Sequence, residues 1–145
     1  MVNVPLEYIL GLAAAETGWE TGRIAIEDRN YFSVHAKGPA QPPKFAIGAG
    51  PTKGTVHDKV PVYVGIYESF YASGLSFIDK FGKFIFGAPT PEAFALALQG
   101  AGFNSGRADT GGSPNFVSNL TKIVPVVKAR LACPAPDSMS HGPGM

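Results

Sequence analysis

Cysteine is nearly missing from this sequence. The single one, Cys133, excludes an internal disulfide framework and any paired-cysteine metal site. Long apolar runs are missing too. None approaches the roughly 20 residues needed to cross a bilayer, so membrane insertion is not expected. Nor is there an excess of one charge. The formal net charge is +1, and the densest basic stretch has only Lys122, Lys128 and Arg130 along one helical segment. That reads as a solvated face, not the basic face or arm of a nucleic-acid binder, and nucleic acid is excluded as a partner. His35, His57 and His141 lack paired ligand spacing, and no metal or other cofactor is expected. His57-Asp58 is a lone dyad without the GxSxG elbow of a nucleophilic triad. One Asp109-Thr110-Gly111 and one Gly100-Ala101-Gly102 are too little for an aspartic-protease or dinucleotide site.

What is present is an order of helices around a small β segment. A chain of 145 residues suffices for one domain with a real core. The spacing predicts a first helix from Pro5 to Thr17, with Pro5 at its start and Gly18 just past its end. Leu6, Ile9, Leu10, Ala13 and Thr17 would be its buried stripe. Between Gly38 and Val64, turn residues separate short β-branched runs at 45–47, 55–56 and 60–66, which read as a hairpin lobe. Helical spacing returns over 69–84 through Phe70, Phe77, Ile78, Phe81 and Phe84. Thr90-Pro91-Glu92 caps a third helix reaching Ala101. A fourth opens at Ser113-Pro114 and buries Val117, Leu120, Val124, Val127 and Leu131, with a kink expected at Pro125. The expected fold class is α+β, mostly helical. Residues 1–132 read as the domain and 133–145 as a Pro/Gly-rich tail or linker.

Glu16 stands out among the acids. At about 100° per residue it lies roughly 70° from the centre of the first helix's stripe, at the border of core and solvent. Burial against apolar surface raises a carboxyl pKa, because the ionised form loses hydration. Glycosidases use such a proton-holding acid on the leaving oxygen of a sugar–sugar bond. The plain alternative is a helix-end glutamate in water or in a salt bridge. Trp19, the only tryptophan, can stack on a sugar, shield Glu16 or simply pack. Tyr31, Tyr63 and Tyr67 are candidate groove aromatics, whereas Phe32 reads as core and Asn30 as a loop holder. Glu27 and Asp28 are expected to pair with Arg23 and Arg29.

Four ordered blocks carry a resemblance: Ala13-Ala14-Ala15-Glu16-Thr17-Gly18-Trp19, Asn30-Tyr31-Phe32-Ser33-Val34-His35-Ala36-Lys37, Val62 to Phe70, and Ala95 to Phe103. Together they resemble the cell-wall endo-β-N-acetylglucosaminidases of the flagellar-muramidase and autolysin type over about residues 5 to 130. The resemblance implies a lysozyme-like two-lobe fold with a small β-hairpin lobe. It implies hydrolysis of the β-1,4 bond after N-acetylglucosamine in peptidoglycan, with Glu16 as general acid. The sequence departs from the family in two ways. The second carboxylate of the β lobe is missing, which leaves Asp58 as the candidate base or the substrate's own acetamido group in its place. Two family tyrosines are Phe103 and Phe116 here. A muramidase or lytic transglycosylase of the same fold is the nearer alternative, and an inactive glycan-binding module the other.

The expected partner is a peptidoglycan glycan strand. If the chain is a toxin domain, a protective protein inhibitor is needed, and a plug for the groove is its simplest design. With no basic n-region or cleavage site at the N-terminus, no secretory signal is read. Action on the wall, in the periplasm or outside the cell, then implies delivery by lysis or by a secretion machine.

Overall fold

The computed structural model describes residues 2–19, 22–57, 60–104 and 114–133, with backbone alone for 53–57 and 60–61. Five helices and three strands follow in the order α1 (Leu6–Thr17), α2 (Arg23–Asp28), β1 (His35–Ala36), β2 (Gly48–His57), β3 (Val60–Ile66), α3 (Phe70–Ile85), α4 (Pro91–Gly100) and α5 (Phe116–Ala132). This is the mostly helical α+β class that the sequence pattern predicts. Asp58, Ser113 and the residues from Pro134 on lie outside the described residues.

The helix boundaries follow local chemistry. Pro5 stands at the N-cap of α1, and Gly18 ends it in the left-handed region at φ 58°, where a residue without Cβ is unstrained. Ser69 accepts a hydrogen bond from the Ala72 amide at 3.1 Å, and Thr90 accepts one from Ala93 at 3.0 Å. Both satisfy amide groups that a helix start leaves open. Pro125 does sit inside α5, at an exposed position.

The stripe expected on α1 is right at Ala13 and Thr17 and wrong at Leu6. Tyr8, Gly11, Leu12, Ala13, Ala14 and Thr17 are buried, while Leu6 is 59 % exposed. The middle of α1 is covered on most sides, as a helix apolar all round should be. α5 lies closest: a Cβ on Gly11 would come within 2.9 Å of Val124 Cγ2. On α3 the inner face is Phe77, Phe81 and Ile85, and Phe84 is half exposed. On α5, Leu131 is exposed and Phe116 is buried in its place. The core gathers Leu12, Phe32, Phe77, Phe94, Leu98 and Leu120 between α1, α3, α4 and α5.

The sheet is antiparallel, in the order β1-β3-β2. β2 and β3 form the hairpin, pairing Gly48 with Ile66, Pro51 with Tyr63 and His57 with Val60, with a register shift between Pro51 and Val56. Pro51 is tolerated because β2 is an edge strand at an irregularity. β1 adds His35 opposite Val64 and Ala36 opposite Tyr63.

Candidate active site

Glu16 lies in the last turn of α1, partly accessible to solvent. Burial nevertheless pushes its carboxyl up from an ordinary 4.5 to about 7, and no charged group among the described residues contributes. Among the described residues it has no ion pair and no hydrogen bond. A carboxyl that solvent can reach but hardly hydrates, with no cation to hold it ionised, keeps its proton near neutral pH.

The chain turns sharply after Glu16. Gly18 and Trp19 both adopt positive φ, 58° and 61°, and the Trp19 amide bonds back to the Ala14 carbonyl at 2.9 Å. This turn fixes the indole beside the end of the helix. Trp19 is 42 % exposed, and the Arg130 guanidinium lies 4.2 Å from its ring centroid. The basic stretch of α5, read as a solvated face, thus contributes one residue to this corner. Arg130 gave no signal in the sequence, because its partner is more than a hundred positions away. With Leu10, Ala13, Ala14, Phe70 and Val127, Trp19 also lines an apolar hollow of about 240 Å³.

Asn30 is the organiser of the neighbouring loop. It is 1 % exposed. Its Nδ2 donates to the carbonyls of Val34 and Gly65, both at 3.0 Å, and its Oδ1 accepts from the amides of Phe32 and Val34 at 3.4 and 2.9 Å. One side chain therefore satisfies four backbone groups and ties the loop after α2 to β3. The loop carries Tyr31, half buried and edge-on to Phe70 at 4.6 Å. Tyr63 is half buried on β3. The hydroxyls of Tyr31 and Tyr63 have no partner among the described residues, so both can bond a ligand.

Tyr67 corrects an expectation. It is 0 % exposed, and its hydroxyl donates to Ser76 Oγ at 2.7 Å. Its ring has no face for a sugar and belongs to the core. A single-sequence reading could not separate it from Tyr63 on β3, because Tyr67 lies just past Ile66, the end of that strand, and meets Ser76 only in the fold. Phe103 and Phe116 pack together in an aromatic cluster with Phe77 and Phe81.

Asp58 lies outside the described residues. Of the other acids considered, Glu27 is exposed and paired with Arg23 at 3.2 Å, as expected. Asp28 is pushed up by burial, pulled down by Arg23 and pushed up again by Glu27. No group of three or more potential metal ligands occurs among the described residues.

No family model and no curated protein sequence matches the chain. Solved structures do. A chain of a type VI secretion system effector-immunity complex from Pseudomonas protegens superposes with a TM-score of 0.72 at 38 % identity, over 91 % of this chain and 82 % of that one. The glycoside hydrolase domain of FlgJ from Salmonella typhimurium gives 0.60 at 26 %, over 90 % and 79 %. A peptidoglycan hydrolase from Sphingomonas sp. A1 gives 0.68 at 23 %, over 92 % and 86 %, a likeness that speaks for the fold.

Proposed function

The chain belongs to the lysozyme-like glucosaminidase family of peptidoglycan hydrolases, and from that premise we propose that it cuts the β-1,4 bonds of peptidoglycan glycan strands after N-acetylglucosamine, with Glu16 as general acid. The observation that carries this reading is the Glu16 carboxyl, raised to about 7 by burial. Protonated Glu16 gives its proton to the glycosidic oxygen as the bond to the anomeric carbon breaks. Positive charge develops on that carbon and its ring oxygen. Either the Asp58 carboxylate takes a proton from an attacking water, or the acetamido oxygen of the sugar closes on the anomeric carbon and water opens the ring afterwards. In the second route Glu16, now ionised, accepts the proton of that water. Trp19, Tyr31 and Tyr63 supply the aromatic surface for the sugars, and Arg130 holds the indole in place.

The likeness to a chain of an effector-immunity complex supports a further part of the reading. The domain acts as a toxin on the wall of another cell, is delivered by a secretion machine, and is restrained at home by an inhibitor protein. Digestion of purified peptidoglycan, reduction of the new ends and mass spectrometry test the bond assignment. N-acetylglucosamine at the reduced ends is expected. N-acetylmuramic acid, or its anhydro form, would overturn it. Glu16→Gln tests the acid: turnover unchanged by it would remove Glu16 from that role, whereas a parent that binds glycan strands and cuts none would be a glycan-binding module instead of an enzyme.

A further inference from the structure

A second hollow, of about 530 Å³, opens between β1, the segment 41–44 and the middle of α3. Its walls carry His35, Lys37, Lys44 and Lys80, with Asp79 as the one acid. Asp79 Oδ1 stands 3.8 Å from Lys44 Nζ, which leaves Lys37 and Lys80 without an ion-pair partner among the described residues. Burial, and then the charge of Lys37, pushes the Lys80 ammonium below its ordinary value. Burial, and then Lys80, pushes His35 down in the same way. Positive groups are crowded here without enough acids to balance them.

The lining also includes a buried donor that the fold does not use. Ser76 is 2 % exposed and lines the hollow. Its oxygen accepts from Tyr67 at 2.7 Å, and its own hydroxyl hydrogen has no acceptor among the described residues. Gly65 makes this arrangement possible: a Cβ there would lie 2.7 Å from the Tyr67 hydroxyl and 2.9 Å from Pro43. The tyrosine hydroxyl polarises the serine hydroxyl, and the serine can then bond an oxyanion strongly.

We propose that this hollow is a binding site for an acidic peptide, and that on the hydrolase reading it takes the carboxylates of the peptide stem carried by the glycan substrate. Ser76 and Lys80 bond one carboxylate, and Lys37 attracts a second. Asp79 faces the amine that such a stem carries beside its carboxylates. The volume falls in the range of organic ligand sites and far exceeds one inorganic anion. Placement agrees with this, because Ala36 of the wall pairs with Tyr63 of the proposed groove, one strand away.

The test titrates the intact protein with a synthetic stem peptide bearing free carboxylates, and in parallel with inorganic phosphate, following backbone amide signals by NMR. The peptide is expected to shift the signals of His35, Ser76 and Lys80. Lys80→Met, at an exposed position, is expected to weaken it at least tenfold, and Glu16→Gln to leave it unchanged. Lys80→Met should also raise KM on intact peptidoglycan without changing kcat, and should leave peptide-stripped glycan strands cleaved at the wild-type rate. Absence of shifts, undiminished binding by Lys80→Met, or phosphate binding as tightly as the peptide would each overturn the assignment. Peptide binding in a protein that cuts no glycan would sink the hydrolase reading and spare the hollow. Cleavage without peptide binding would do the reverse.

Discussion

Glu16 and Asn30 are both held by what surrounds them, with opposite consequences for stability. The Glu16 proton is bound more tightly in the folded chain than in the unfolded one, with pKa values of about 7 and 4.5. Below pH 4.5 both states are protonated and burial costs little. As pH rises from about 4.5 to about 7, the unfolded chain gives up this proton while the folded one keeps it, so stability falls; above about 7 the folded state carries a desolvated charge and the loss is complete. Glu16→Gln should therefore match the parent near pH 4 and exceed it above pH 7, by up to about 3 kcal/mol, as urea unfolding at both pH values would show. The same substitution should lower turnover about 10²–10⁴-fold, and the parent's turnover should fall as pH rises past about 7. Asn30 has no such penalty. Asn30→Ala takes this partner from the Gly65 carbonyl and from the Phe32 and Val34 amides and should cost about 2–3 kcal/mol, read as a loss of melting temperature. Glu16 was legible in the sequence because a helix end and a flanking indole are local signals. The burial of Tyr67 was not, because it depends on Ser76 and Gly65, brought to it by the fold.

At the scale of elements, the sequence predicts the four longer helices from their length and apolar spacing, and it predicts a hairpin, although the run expected at 45–47 lies before β2 (Gly48–His57). It misses α2, six residues with no side-chain cap, and β1, two residues whose strand character comes from pairing with β3. It also finds only part of the inner face of α1, Ala13 and Thr17 but not Tyr8, Gly11, Leu12 and Ala14. A stripe is readable only when one side of a helix faces water, and the middle of α1 has α5 close against it. That proximity yields its own prediction. Gly11→Val would drive a side chain into Val124, already 2.9 Å from an added Cβ. It should destabilise by about 2 kcal/mol or more, as overpacking does. An alanine substitution at exposed Leu6 should change the unfolding midpoint far less.

On the scale of the whole molecule, the acid, the aromatic corner and the clamped loop come from different parts of the chain and are held by one core. α1 supplies Glu16, the turn after it supplies Trp19, α5 supplies Arg130, and the loop tied to β3 supplies Tyr31. The stacked pair of Trp19 and Arg130 has a practical consequence. With one indole in the entire polypeptide, ultraviolet emission reports on a single location, at the turn that follows Glu16. A sugar oligomer sliding over that ring, or displacement of the guanidinium from it, should alter the emission maximum. Occupancy could then be followed in real time without any dye, even in the Glu16→Gln protein.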